Sequence, residues 1–273
     1  MEAHATDGSM REEVIPVWAP GLEIHVKVAG SGPPLLFVHS AGGPRWTAFN
    51  DWLAETHTVY APELPGTSTG DPRAIDRLET FADLLLAYEE LVRALGISGA
   101  VAIGESLGGM IVADLAAHFP SLLSKLVLVA PAGLWLDEHP TRVVELTSSP
   151  PERAPDYLFF EPAGEIAQEF FRLPEEPELM AKAIAAVVWA QGCAAKFLWP
   201  IPDQGLAKRL HRVIAPTLVV FGREDRVIPS VYGREFAERI AGARLELIER
   251  CGHIPHIEQL ERTREIVGEF LRA

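Results

Sequence analysis

Apolar residues along this chain change their rhythm twice. Residues 14–18 and 22–28 are rich in β-branched positions, and the second stretch alternates polar and apolar residues as a half-buried strand does. With Ala19-Pro20-Gly21 between them they predict an opening hairpin. From Pro34 onward the runs become almost continuous. Residues 35–38, 58–61, 100–103 and 125–129 have the character of parallel strands covered on both faces. Between them Ile75, Leu78, Phe81, Leu85, Tyr88, Val92 and Leu95 recur at intervals of three and four, which predicts one long helix over 75–95. Its other face carries Arg77, Glu79, Asp83, Glu90 and Arg93. Strands alternating with helices, joined by right-handed crossovers, predict an α/β protein with a twisted, mostly parallel sheet covered by helices on both faces.

The second change comes near Pro131. Pro150, Pro151, Pro155, Pro162, Pro174 and Pro177 punctuate a stretch with helical pieces and no strand signal before Thr217. It reads as a helical insertion over 134–210, set between core segments 1–133 and 211–273. The alternation then resumes with strands at 217–221 and 244–248, a helix near 231–240 and a closing helix over about 257–271.

Composition narrows the function classes. The chain has 273 residues, 48% of them hydrophobic and 23% charged, enough for a substantial core and incompatible with a disordered chain. A formal charge of -14 disfavours nucleic acid and anionic membranes as partners. Only two cysteines, Cys193 and Cys251, offer neither a disulfide framework nor a metal-binding spacing, which suits a reducing compartment. The first residues lack the pattern of an export signal, and the longest apolar run, 183–190, is shorter than a membrane span. The expectation is a cytoplasmic protein acting on a small molecule, with no membrane or nucleic-acid partner and with a homodimer as an open possibility.

One motif carries chemistry. The strand 100–103 runs into Gly104-Glu105-Ser106-Leu107-Gly108-Gly109 and then into the helical run 110–118, the strand, sharp turn and helix that a G-x-S-x-G elbow requires. Its glycines allow the turn that lifts the Ser106 hydroxyl above the sheet and let the helix pack closely. A serine hydroxyl needs a base. Of nine histidines, His253 in Cys251-Gly252-His253 directly follows a strand and so reaches the carboxyl edge of the sheet, where open α/β folds hold their sites. His256 is expected at a helix entrance, as surface or local packing. The acid is Asp225, on the loop Gly222-Arg223-Glu224-Asp225-Arg226-Val227-Ile228-Pro229, with Glu224 and Asp137 as weaker substitutes. No third ligand joins the two histidines into a metal site, and no cofactor is called for.

Ser106, Asp225 and His253, in that order on strand-end loops, resemble the α/β-hydrolase superfamily, and the likeness extends from the hairpin to the closing helix. The turn Glu63-Leu64-Pro65-Gly66 is similar to the family's D-x-P-G turn. The resemblance implies an eight-stranded sheet, a helical lid after the sixth strand, and an oxyanion hole made by the backbone N–H groups of Leu107 and Ala41. Ser40 stands where relatives have glycine. A glycine there would tolerate a left-handed backbone, so Ser40 is expected either to strain the loop or to bend its path. Thr67, in Pro65-Gly66-Thr67-Ser68, is a smaller departure. His39 is expected to hold the loop by hydrogen bonds. Most bulky residues of the insertion should pack between lid helices. The remainder should line an apolar pocket over Ser106, for which Ser40, Trp46, Trp135, Trp189 and Trp199 are the candidates.

The function these residues imply is cofactor-free hydrolysis of a small, largely apolar carboxylic ester or lactone through an acyl-enzyme. Carbon-carbon bond hydrolysis of a vinylogous diketone, as in meta-cleavage relatives, is the alternative. Those relatives carry Asn before the serine and Trp after the histidine, where this chain has Glu105 and Ile254. A ligand sensor built on the same fold is the alternative of another class.

Overall fold

The computed structural model describes residues 10–18, 21–67 and 70–273. Ala19 and Pro20 of the hairpin turn, and Ser68 of the turn after Gly66, lie outside the described residues. Eight strands, β1 (Arg11–Pro16), β2 (Glu23–Ala29), β3 (Pro34–Val38), β4 (Thr58–Pro62), β5 (Ala100–Glu105), β6 (Leu123–Val129), β7 (Thr217–Gly222) and β8 (Arg244–Ile248), form one sheet in the order β1-β2-β4-β3-β5-β6-β7-β8. The hairpin β1–β2 and the β2–β4 pair are antiparallel, and every other pair is parallel. This is the α/β arrangement the hydrophobic pattern predicts.

Ten α-helices complete the described chain: α1 (Ala48–Ala54), α2 (Phe81–Ala94), α3 (Leu107–His118), α4 (Val143–Ser148), α5 (Ala154–Leu158), α6 (Glu165–Phe170), α7 (Pro177–Leu198), α8 (Val231–Arg239), α9 (Pro255–Glu258) and α10 (Leu260–Arg272). One face of the sheet packs Leu36, Val38, Ala102 and Leu128 against α2, α3 and α8. The other packs Leu35, Phe37, Ile103 and Val220 against Phe49 and Leu53 of α1 and Ile266 and Val267 of α10. Odd and even positions of each strand thus bury on opposite sides, which is why these strands read as unbroken apolar runs.

The long helix predicted over 75–95 is two pieces. A 3-10 turn spans Pro72–Arg77, the backbone is extended at Leu78, and α2 starts only at Phe81. The reason is local: Thr80 caps the helix, its side chain accepting the Asp83 N–H while the Asp83 carboxylate accepts the Thr80 N–H. Ile75, in the 3-10 turn, and Leu78, in extended backbone, keep their buried places without being part of α2.

Between β6 and β7 the chain is helical throughout, with α4 to α7 and no strand. The length of α7 exceeds what contiguous apolar residues suggested. Its 22 residues are long and apolar enough, by length and composition, to cross a membrane, although Gln191 and Lys196 interrupt the apolar run. Ala190, Cys193, Ala194, Phe197 and Leu198, in its second half, are buried within the protein, while only 28% of its apolar window is buried.

The strand order reverses direction around β3. The chain moves from β3 out to β4, then returns past β3 to β5, so the loops leaving β3 and β5 diverge at their carboxyl ends and open a crevice there.

Candidate active site

The crevice is lined by the two loops singled out from sequence. Val38 is paired with Gly104, so His39-Ser40-Ala41 and Glu105-Ser106-Leu107 emerge side by side. Ser106 is forced into a left-handed conformation, φ 51° and ψ -110°, rare for a non-glycine residue and costing on the order of 1–3 kcal/mol. The fold holds it there with backbone bonds: the Ser106 N–H donates to the Val129 carbonyl, and its own carbonyl accepts from Met110 and Ala132. The glycines provide the room. A Cβ on Gly104 would come within 2.3 Å of the Gly108 carbonyl oxygen, and one on Gly108 within 2.0 Å of the Val38 oxygen. Side chains at either position would push α3 away from β3 and β5.

His253 arrives from the loop after β8. Its Nε2 lies 3.1 Å from Ser106 Oγ, and its Nδ1 lies 2.7 Å from Asp225 Oδ2. The other Asp225 oxygen accepts the N–H groups of Val227 and Ile228 at 2.8 and 2.9 Å, fixing the carboxylate before the imidazole meets it. Nδ1–H donating to Asp225 leaves Nε2 free to accept the serine proton. Burial pushes the imidazole pKa down, but the charge and hydrogen bond of Asp225, with a further contribution from Glu105, outweigh it and hold His253 above its ordinary value. Hydroxyl, imidazole and carboxylate therefore form one hydrogen-bonded line able to move a proton off oxygen. Asp137 is exposed and binds the Trp135 indole at 2.8 Å, while Glu224 accepts the Cys251 N–H, so neither substitutes for Asp225.

The N–H groups of Leu107 and Ala41 donate to no protein acceptor among the described residues. Leu107 is the first residue of α3, whose amino end adds its own positive potential. His39 holds the neighbouring loop as expected. Its Nδ1–H donates to the Ser40 carbonyl at 2.6 Å and its Nε2 accepts the Leu64 N–H at 2.9 Å. Burial pushes its pKa down, which suits this neutral tautomer.

Ser40 bears no backbone strain. Its backbone is not left-handed; that conformation belongs to Gly43, φ 99°, three residues on. The Gly43 N–H closes the turn on the Ser40 carbonyl at 3.2 Å. A serine is therefore accommodated without strain, because the loop's one demand for a left-handed residue falls on Gly43.

Four tryptophans were candidates for the pocket. Trp46 packs on the far face of the sheet, with the α1 and α10 side chains, and its indole binds Asp51 at 2.7 Å. Trp135 is tied to Asp137. Trp189 is 48% exposed and reaches from α7 to the Gly66 carbonyl at 2.8 Å. Trp199, at the end of α7, is 50% exposed. All four indoles are thus at least partly exposed, and three of them, Trp46, Trp135 and Trp189, are tied by hydrogen bonds.

Bulky residues of the insertion, together with a buried carboxylate, tie it to the site. The Leu158 carbonyl accepts the His253 N–H at 2.8 Å. Phe159, Phe170 and Phe171 pack edge to face and cluster with Ile254, next to His253. Glu258, buried at the end of α9, accepts the N–H groups of Gly252, Phe160 and Glu161, bridging the histidine loop to the insertion with charge-assisted bonds. The guanidinium of Arg45, from the loop after β3, stacks 4.0 Å over Phe170 and donates to its carbonyl. Spacing in Gly252-His253-Ile254-Pro255-His256-Ile257-Glu258 was the available signal for Glu258, but a carboxylate that binds only backbone leaves no partner in the sequence. His256, expected at a helix entrance, is 3% exposed and therefore core, not surface. Among the described residues no group of three or more His, Cys, Asp or Glu side chains could hold a metal ion. Both thiols are buried, and burial pushes their pKa values up, so neither competes as a nucleophile.

Residues 35–266 match the sequence model of the Alpha/beta hydrolase family. A 2-hydroxymuconate semialdehyde hydrolase of Pseudomonas sp. (strain CF600) is 30% identical over 290 residues, spanning 99% of this chain and 97% of that protein. Among solved structures, a bacterial membrane phospholipase A superposes with a TM-score of 0.77 at 23% identity, over 96% of this chain and 86% of the other. A meta-cleavage product hydrolase superposes with a TM-score of 0.74 at 22% identity, over 95% and 97%. At these identities the structural likeness speaks for the fold.

Proposed function

The chain belongs to the alpha/beta hydrolase family, and on that premise we propose that it is a serine hydrolase cleaving a small, largely apolar carboxylic ester or lactone. The observation that carries the reading is the single line of hydrogen bonds from Ser106 Oγ through His253 to Asp225. His253 takes the Ser106 proton as Oγ attacks the acyl carbon, and Asp225 holds the ring in the tautomer that can do so. The N–H groups of Leu107 and Ala41 receive the oxyanion. His253 then returns the proton to the leaving alkoxide, and water, deprotonated by the same ring, releases the acid from Ser106.

A second reading has its own support. The 2-hydroxymuconate semialdehyde hydrolase aligned over nearly the whole chain points to carbon-carbon bond hydrolysis, which the same three residues could serve. Against it, Glu105 and Ile254 replace the Asn and Trp expected of meta-cleavage relatives. One experiment separates the two: esters and lactones graded in acyl length, assayed beside a 2-hydroxy-6-oxo-dienoate on the same preparation, with a fluorophosphonate to titrate the active serine. Ester turnover well above that of the dienoate is expected. Preferred cleavage of the dienoate would replace the first reading with the second, and serine labelling with no turnover of either class would favour a ligand sensor.

A further inference from the structure

The carboxylate next to the nucleophile has no part in the scheme above. Glu105 is the last residue of β5, 8% exposed, and its Oε2 lies 3.4 Å from Nε2 of His256. Among the described residues it has no other hydrogen-bond or ion-pair partner. His256 is equally enclosed. Its ring meets the edge of Phe49 at a centroid distance of 5.7 Å, and its Nδ1 is buried with no partner. A histidine in that setting is neutral, and burial does push its pKa down. Its Nε2 lies beside the Glu105 carboxylate as a close polar contact, without the geometry of a hydrogen bond. The pair is strung between the two segments that build the site: Glu105 precedes Ser106, and His256 follows His253 by three residues across the start of α9.

Resting on the hydrolase reading, we infer that Glu105 is a positioning residue: a second carboxylate, enclosed beside His256 and next to the nucleophile, that stabilises the protonated form of the His253 imidazole generated when Ser106 attacks. Asp225 works on this ring through a hydrogen bond to Nδ1. Glu105 works through its field alone, and its charge adds to that of Asp225 in raising the His253 pKa against the effect of burial. The other groups facing this ring are Ser106 from the elbow and His256 from α9. Glu258 faces the adjoining Gly252 N–H, and His39 and Arg45 face Glu105 from the loop after β3. Bound inside the protein, an ion pair or charged hydrogen bond contributes little net stability compared with apolar packing of the same shape. An effect on proton transfer is the property that a packing role would not produce.

The test is a histidine 13C NMR titration of the whole protein, with the His253 resonance assigned from the spectrum of His253→Asn. It is run beside the pH profile of kcat/KM for the best ester. In Glu105→Gln, which keeps the shape of the side chain but removes the charge, the His253 midpoint should fall by about 0.3 pH unit or more. The acid limb of kcat/KM should move down by the same amount, and the plateau should drop by roughly 3- to 10-fold. His256→Gln, which keeps the carboxylate and a polar neighbour beside it, should leave the midpoint in place. If Glu105→Gln is recovered unfolded, the double variant Glu105→Met/His256→Phe replaces the pair with apolar groups, and the same fall is expected there. A midpoint that moves less than this or rises, or that moves as far in His256→Gln, overturns the inference. Because the NMR midpoint needs no substrate, absence of ester turnover would count against the hydrolase reading and leave this result to be judged separately.

Discussion

The elbow at Ser106 and the helical insertion face each other across the crevice, and they are built on opposite terms. At the elbow, Ser106, Asp225 and His253 are buried, a single Cβ at Gly104 or Gly108 would collide with backbone, and backbone hydrogen bonds hold a left-handed serine in place. Across the crevice, α7 turns Leu179, Ile184, Val187, Val188 and Trp189 outward, and its indole bond from Trp189 to Gly66 reaches the loop after β4. The stretch from Leu158 to Phe171 is fastened to the histidine loop, by the Leu158–His253 and Glu258 bonds, the Arg250–Glu161 pair and the packing of Phe159, Phe170 and Phe171 around Ile254. Proton transfer tolerates errors of a fraction of an ångström, so the elbow is over-determined. Selecting an apolar substrate needs only approximate shape, so the insertion can be loose, and changes there should act on preference more than on chemistry.

The sharpest way to break this contrast is Ser106→Ala. Turnover should fall by roughly 10⁶ while the protein stays folded, and mass spectrometry of the fluorophosphonate adduct should lose its only label. An adduct elsewhere would move the nucleophile. Next in size is Asp225→Asn, expected to cost about 10⁴ in kcat by letting the imidazole adopt the wrong tautomer. Combined with His253→Ala it should add almost nothing to the loss from His253→Ala alone, since the residues act as a unit. Full multiplication of the two losses in steady-state kinetics would mean independent roles.

A third test is structural. In Gly108→Ala the added methyl would lie 2.0 Å from the Val38 oxygen, and thermal melts should show a destabilisation of about 3 kcal/mol or more. A variant as stable as the parent would show that α3 can shift, and that the elbow is less constrained than its contacts imply. On the other side of the crevice, Trp189→Ala should leave hydrolysis of acetate esters nearly intact. It should alter kcat/KM for long acyl chains by an amount worth about 1–3 kcal/mol, whereas Trp199→Ala should leave the acyl-length profile unchanged. A uniform fall across all esters for Trp189→Ala would make the indole a structural tie. The smallest effect is expected of Ser40→Gly: kcat within about threefold, because Gly43 already takes the left-handed position and the Ser40 hydroxyl binds no protein group among the described residues. A drop on the order of 10² to 10³ would make that hydroxyl an oxyanion donor.

These tests also mark where reading the chain by eye works. Ser106, Asp225 and His253 were legible because each follows a strand, and strand ends are set by short-range pattern: a continuous apolar run, then glycine or a polar turn. The break before α2 was legible too, in Thr80 and Asp83, but the stronger periodicity of Ile75 and Leu78 masked it, since buried residues recur at helical spacing even when the backbone between them is extended. The pattern says less about the pocket tryptophans. Bulk predicts burial on average, yet Trp199 stands half exposed and Trp46 packs on the opposite face of the sheet, and nothing in the local pattern says which face a loop residue will take.

What the amino-acid order determined alone was therefore periodic or nearest-neighbour in origin: the alternation of strands and helices, the elbow, and the chain order of nucleophile, acid and base. What only the tertiary structure decided was which distant groups meet. Glu105 finds His256 across 151 positions of chain, Glu258 binds backbone at Phe160, and the left-handed position of the loop after β3 falls on Gly43 and not on Ser40. Such contacts depend on how the β3, β5 and β8 loops converge at one edge of the sheet, and convergence is a property of packing that no local pattern encodes.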